Sequence, residues 1–185
     1  MYKIYNNRMK FNSNFDEPFN GHIIEMIKLH NIKSLIFGWN FNQVTDNIPY
    51  GVKEILYCNW YFDKPIDNLP YSIETIKLSK FFNQRVDCLP DGLKNIYFGE
   101  HFNQPLDYLP NTIKTIVIPM SGHFNQSLDN LPEQLETLFL NRGYSNKLFN
   151  LPVYLKKLSI HKNYPYLEEL KNNKRMKDVL MVYDI

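Results

Sequence analysis

The chain has 185 residues and a mass of 22.1 kDa, enough for one compact core or one short solenoid. With 44% apolar and 15% aromatic residues it can bury that core unaided, which excludes a disordered tail. Its 21 basic and 19 acidic residues leave a net charge of +2, too balanced for a dedicated nucleic-acid binder. No window approaches the roughly 18 uninterrupted apolar residues of a membrane span, and the start, MYKIYNNRMKFN, lacks the apolar core of a secretory signal. A cytoplasmic protein with no membrane or nucleic-acid partner and no cofactor is expected. The two cysteines, Cys58 and Cys88, make no disulfide framework. Alanine is absent and only four of the 21 basic residues are Arg, biases that follow an A/T-rich genome rather than any chemistry.

Residues 1–31 read as an N-terminal cap. Phe15-Asp16-Glu17-Pro18-Phe19-Asn20 is a worn copy of a motif that recurs downstream, and HIIEMIKLH (22–30) places Ile23, Ile27 and His30 at helical spacing. From residue 32 to 163 the chain repeats itself. A Leu-Pro or Ile-Pro pair ends at Pro49, Pro70, Pro90, Pro110, Pro132 and Pro152, at intervals of 21, 20, 20, 22 and 20 residues. Before each of the first five stands an aromatic–polar pair: Phe41-Asn42, Phe62-Asp63, Phe82-Asn83, Phe102-Asn103 and Phe124-Asn125. After each comes a short apolar run of the form L-x-x-L-x-L. These predict about eight stacked parallel strands, beginning near Ile32, Val52, Ile73, Leu93, Ile113, Leu135, Leu155 and Met176. About 20 residues per turn leave no room for a crossover helix, so the returns are extended segments and tight turns. One repeat cannot cover its own apolar side, and stability comes from stacking neighbours. Residues 164–185 read as a helical turn (YLEELKNNKR, 166–175) and a final strand. Its open edge predicts a homodimer or other edge pairing through residues 179–183.

The copies PIDNLPYSIETIKL and FNQPLDYLPNTIKTIVI resemble the FNIP repeat family, a divergent leucine-rich type of slime moulds and giant DNA viruses of amoebae. The resemblance covers roughly residues 32–161. It implies a leucine-rich-repeat-like solenoid that works as a non-enzymatic protein-interaction module, in the host cytoplasm if viral, and in one version recruits a host target. Many viral members resemble ubiquitin-ligase substrate receptors with an F-box ahead of the repeats, and the 31 residues before the first clear strand are too few for one.

Column by column, the repeats offer few chemical groups. Asn42, Asp63, Asn83, Asn103 and Asn125 form an inward structural ladder that hydrogen-bonds loop backbone of neighbouring turns. Asp46, Asp67, Asp87, Asp107 and Asp129 belong in solvent, capping turns, because stacked buried carboxylates would repel. His101 and His123 share a slot before Phe but lack a third ligand, and neither cysteine has the positive neighbours of a reactive thiolate. No catalytic or metal site is expected. The first outward strand column runs Lys33, Lys53, Glu74, Lys94, Lys114, Glu136, Lys156, Lys177, with each Glu between two Lys relieving like-charge repulsion. The other outward column is Ile36, Leu56, Lys77, Tyr97, Val117, Phe139, Ser159 and Leu180, mostly apolar and expected in solvent. With Trp39, Trp60, Tyr61 and Phe81 in the loops at one rim, it is the candidate partner-binding surface. The alternative is a structural component that associates through open solenoid edges.

Overall fold

The computed structural model describes residues 1–184 and, among them, one ten-stranded sheet whose spatial order is the chain order. β1 (Tyr2–Tyr5) and β2 (Arg8–Phe11) pair antiparallel. β3 (Ser34–Phe37), β4 (Glu54–Tyr57), β5 (Thr75–Lys77), β6 (Asn95–Tyr97), β7 (Thr115–Val117), β8 (Thr137–Phe139) and β9 (Lys157–His161) follow at one per repeat. β10 (Leu180–Tyr183) ends the sheet, and from β2 onward every pairing is parallel. This is the stack of parallel strands that the periodicity predicts, and the leucine-rich-repeat-like solenoid that the resemblance implies. Among the described residues no helix is long and apolar enough to cross a membrane.

The sheet starts two strands earlier than the repeat pattern indicates. Tyr5 pairs with Arg8 across a two-residue loop, and Asn6 and Asn7 both have positive φ (47° and 58°). This is the turn geometry that matches strand twist and that Asn tolerates. The hairpin is tied to the helix behind it, since the Asn7 side chain donates to the Asn31 carbonyl at 3.0 Å. That helix, α1 (Gly21–Leu29), lies where the apolar spacing puts it. Asn20 caps its start by accepting the Ile23 N–H at 3.1 Å. At its end Asn31 takes φ 46°, while Ile32 N–H reaches Ile27 O and Asn31 N–H reaches Lys28 O, a Schellman closure. Ile23 and Ile27 are the buried stripe.

Parallel register aligns the core into columns. Leu35, Ile55, Ile76, Ile96, Ile116, Leu138 and Leu158 stand side by side in successive strands, all fully buried. Opposite them the motif aromatics form a spine of Phe15, Phe41, Phe62, Phe82, Phe102, Phe124, Tyr144 and Tyr164. Neighbouring centroids lie 5.8 to 6.3 Å apart with nearly parallel planes. Burying each such ring contributes about 1.5–3 kcal/mol, which makes the spine a principal link between turns. Phe15, from the worn copy of the motif, is buried and stacks on Phe41 at the head of the spine.

The last unit departs from the predicted phase. Met176 is buried at the end of a 3₁₀ turn (Lys174–Met176) after α2 (Leu167–Asn172), and the strand begins only at Leu180. Leu180 pairs with Leu158 and Met181 with Ser159. Met181, not Leu180, therefore continues the outward column. A single extra residue between Met176 and the strand reverses its faces, and the reversal turns Tyr183 outward.

Candidate interaction face and rim

The amide column is a surface ladder rather than an inward one. Asp16 Oδ1 accepts the Asn42 N–H (2.8 Å), Asn42 Oδ1 that of Asp63 (3.3 Å), and Asp63 Oδ1 that of Asn83 (2.8 Å). Asn83 then accepts from Asn103 (2.8 Å), Asn103 from Asn125 (2.9 Å) and Asn125 from Ser145 (2.9 Å). Each side chain thus satisfies the backbone donor of the next turn. Asn83, Asn103 and Asn125 are exposed and Asn42 and Asp63 half-buried, because the preceding Phe fills the interior.

A second polar column lies three residues before the aromatic: Gly38, Asn59, Ser79, Gly99, Ser121 and Asn141, of which Asn59, Ser79, Gly99 and Asn141 are buried, Gly38 is half-buried and Ser121 is exposed. Asn59 Nδ2 donates to the Phe41 carbonyl, Ser79 Oγ to that of Phe62 (2.5 Å) and Asn141 Nδ2 to that of Gly122 (2.9 Å). Where glycine stands, the backbones close on each other: a Cβ at Gly38 would overlap the Asn12 carbonyl, and one at Gly99 the Ser79 carbonyl. The signal was the restriction of six slots to Gly, Ser and Asn.

On the sheet, each column Glu holds two lysines. Glu74 binds Lys53 (2.7 Å) and Lys94 (2.8 Å), and Glu136 binds Lys156 (2.6 Å) and Lys114 (3.0 Å). The Lys53 and then the Lys94 hydrogen bond hold Glu74 below the ordinary carboxylate range, and Lys156 then Lys114 do the same for Glu136.

The apolar outward column is less open than its alternation implies. Ile36 is only 8% exposed and Ser159 5%. Leu56, Val117 and Phe139 are half-buried and Tyr97 is exposed. Tyr183 explains the C-terminal part: its ring stacks on Phe139 at 5.2 Å and meets His161 edge-on at 5.4 Å. Its hydroxyl donates to Leu140 O at 2.6 Å, across the intervening strand β9. Phe139 is therefore already covered by the chain itself, which corrects its placement among solvent-facing anchors. The free part of the column is Leu56, Lys77, Tyr97 and Val117.

The rim residues come together. Trp39 and Trp60 are exposed, with rings 5.4 Å apart, and Lys80 Nζ stands 5.0 Å over Trp60 while pairing with Glu100 at 3.1 Å. Beside them runs a second file, Tyr61–Phe81 (5.5 Å), Phe81–His101 (4.4 Å) and His101–His123 (5.1 Å). These histidines belong to an aromatic stack, and His123 Nδ1 contacts Glu100 O at 3.0 Å. Among the described residues no three His, Cys, Asp or Glu side chains gather as a metal would need. Arg85 binds Asp87, Asn130 donates to Asp107, and Ser127 donates to Asp129, as surface turns do. Cys58 and Cys88 are both exposed and unpaired.

Residues 82–121 match the family described as FNIP Repeat. The fold is similar to a solved structure described as the crystal structure of CroV588, a novel circular LRR protein structure, with a TM-score of 0.67 and 25% identity. The match covers 88% of this chain and 28% of that one. No curated protein matches the chain.

Proposed function

We propose that this FNIP-repeat solenoid is a non-enzymatic interaction module that binds another protein with its aromatic rim and the free outward column beside it. The observation that carries the reading is the rim itself. Trp39 is 53% exposed, Trp60 43% and Tyr61 63%, stacked in files across consecutive turns. Large rigid aromatics left in water across several repeats are costly to a surface and dominate interface energetics. Repeats of this leucine-rich type commonly mediate protein interactions, which supports the same reading. The test compares recovery of a partner from lysate by the native chain, by Tyr97→Ser and by the double change Trp39→Ser, Trp60→Ser. An anchor costs about 2 kcal/mol or more on truncation, a roughly thirtyfold loss of affinity. Lost recovery at an unchanged melting temperature supports the site; undiminished recovery by both variants sinks it.

A second reading, association of copies through a sheet edge, has its own observation: on β10, Met181 is 52% and Val182 44% exposed, on opposite faces of the strand. Recovery of this chain alone, with no heterologous partner, would favour it.

A further inference from the structure

Between β1, β2 and β3 the outward face of the sheet carries a groove of about 440 Å³. Its lining includes the apolar Ile36 and Trp39, the two amines of Lys3 and Lys10, and Cys58. Lys3 and Lys10 are direct cross-strand partners, a like-charge arrangement that destabilises a sheet unless compensated. Elsewhere on the sheet the same problem is solved by a carboxylate between two lysines, as Glu74 stands between Lys53 and Lys94. Here none does: neither Lys3 nor Lys10 is in an ion pair among the described residues, and the nearby Glu54 is held by Arg8 (3.7 Å) and Ser34 (2.6 Å). The groove thus combines an apolar wall with two unanswered ammonium groups, beside the aromatic rim.

We propose that this groove is the subsite for an acidic segment of the protein partner, one carboxylate bridging Lys3 and Lys10 while an adjacent large apolar side chain packs on the exposed Trp39 ring, over the nearly buried Ile36. The inference rests on the interaction-module reading and names the chemistry of the partner. A segment with basic flanks would add to the lysine repulsion, and an acidic one without the apolar residue would leave the Trp39 wall in water.

The chain's two cysteines make the site readable. Cys58 lies in the groove, whereas Cys88 is exposed on a return stretch and serves as an internal reference. The probes are three sets of five-residue peptides with a central Phe and flanks drawn from Asp/Glu, Ser/Thr or Lys/Arg, and the acidic set repeated with a central Ala. Iodoacetamide alkylation of each cysteine is followed by mass spectrometry. The acidic Phe set slows Cys58 several-fold and leaves Cys88 unchanged; Lys10→Glu weakens this protection about tenfold, and raised salt weakens it too. Equal protection by neutral or basic sets, slowing of both cysteines alike, or no protection of Cys58 by the acidic set at about 1 mM overturns the proposal. If Cys58 stays unprotected while partner recovery still depends on Tyr97, Trp39 and Trp60, only the acidic subsite fails. If recovery is indifferent to those residues as well, the interaction-module reading fails with it.

Discussion

The two polar columns of this solenoid look alike in sequence but occupy different environments, and a pair of alanine changes should separate them. Ser79 is 1% exposed and its hydroxyl is the partner of the Phe62 carbonyl at 2.5 Å. Ser79→Ala removes one oxygen, creates almost no cavity, and leaves that carbonyl without a donor, at a cost of about 1–3 kcal/mol. Asn103 also holds a backbone group, the Asn125 N–H at 2.9 Å, but it lies in solvent. Water can replace it, so Asn103→Ala should cost only about 0.5–1.5 kcal/mol, the net value of an ordinary hydrogen bond. Asn103→Asp should cost less still, because Asp63 fills the same role one turn earlier than Asn83. For a chain of this size about 1 kcal/mol moves the melting temperature by about 2–4 °C. Ser79→Ala should therefore melt several degrees lower, Asn103→Ala about 1–6 °C lower and by less than Ser79→Ala, and Asn103→Asp close to the native chain. Asn103→Ala falling as far as Ser79→Ala, in folded proteins measured side by side, would refute the assignment of one column to the interior and the other to the surface.

Gly99→Ala forces a methyl into the Ser79 carbonyl, so it should destabilise by about 1–3 kcal/mol or more, whereas an Ala at Gly21, with open space around it, should change melting far less. Tyr183→Ser uncovers Phe139 and frees the Leu140 carbonyl, and near-ultraviolet circular dichroism should report the lost aromatic packing; an unchanged spectrum would refute the cover. Glu74 and Glu136 have carboxyls held below their ordinary range. The stability they lend is therefore present above about pH 4.5 and is lost as pH falls through the lowered folded value. The urea midpoint of the native chain should drop on acidification more steeply than that of the Glu74→Gln, Glu136→Gln variant, and parallel profiles would contradict the bridging. For the strand edge, sedimentation at tens of micromolar should show association that Val182→Lys abolishes, and a strict monomer would remove the edge from consideration.

The periodic part of the fold was legible because one strand and one return occupy each interval, so a column in the sequence is a column in space. Leu35 to Leu158 and Phe41 to Phe124 follow directly from that. What broke the period was harder to read. The Asn6-Asn7 turn carried a local hairpin signal, but it sat in a stretch without a repeat copy. One added residue before Leu180 reversed the last strand, and no composition rule reports such a slip. The candidate face was misjudged at Phe139 for the same reason: its cover, Tyr183, comes from 44 residues further along, and only the register delivers it. The buried Gly, Ser and Asn slots were visible as small polar residues, yet their role depends on how closely successive backbones approach.

The ladder of Asn side chains also sets a shape. Along the sheet, successive turns meet backbone to backbone, at the 4.7–4.9 Å or so that a direct N–H to C=O bond imposes. On the return an amide side chain is inserted between the two backbones, and the aromatic rings beneath repeat at 6.1 to 6.3 Å. Two rulers of unequal length, fixed to opposite sides of the same unit, make each turn a wedge with its thin edge at the strands. Wedges stacked in this sense would bend the solenoid toward the sheet, with the column that includes Tyr97 on the inner side of the bend. Two residue positions then share control of the wedge, the amide that separates the returns and the ring beneath it, and shortening either would bring the two spacings closer together.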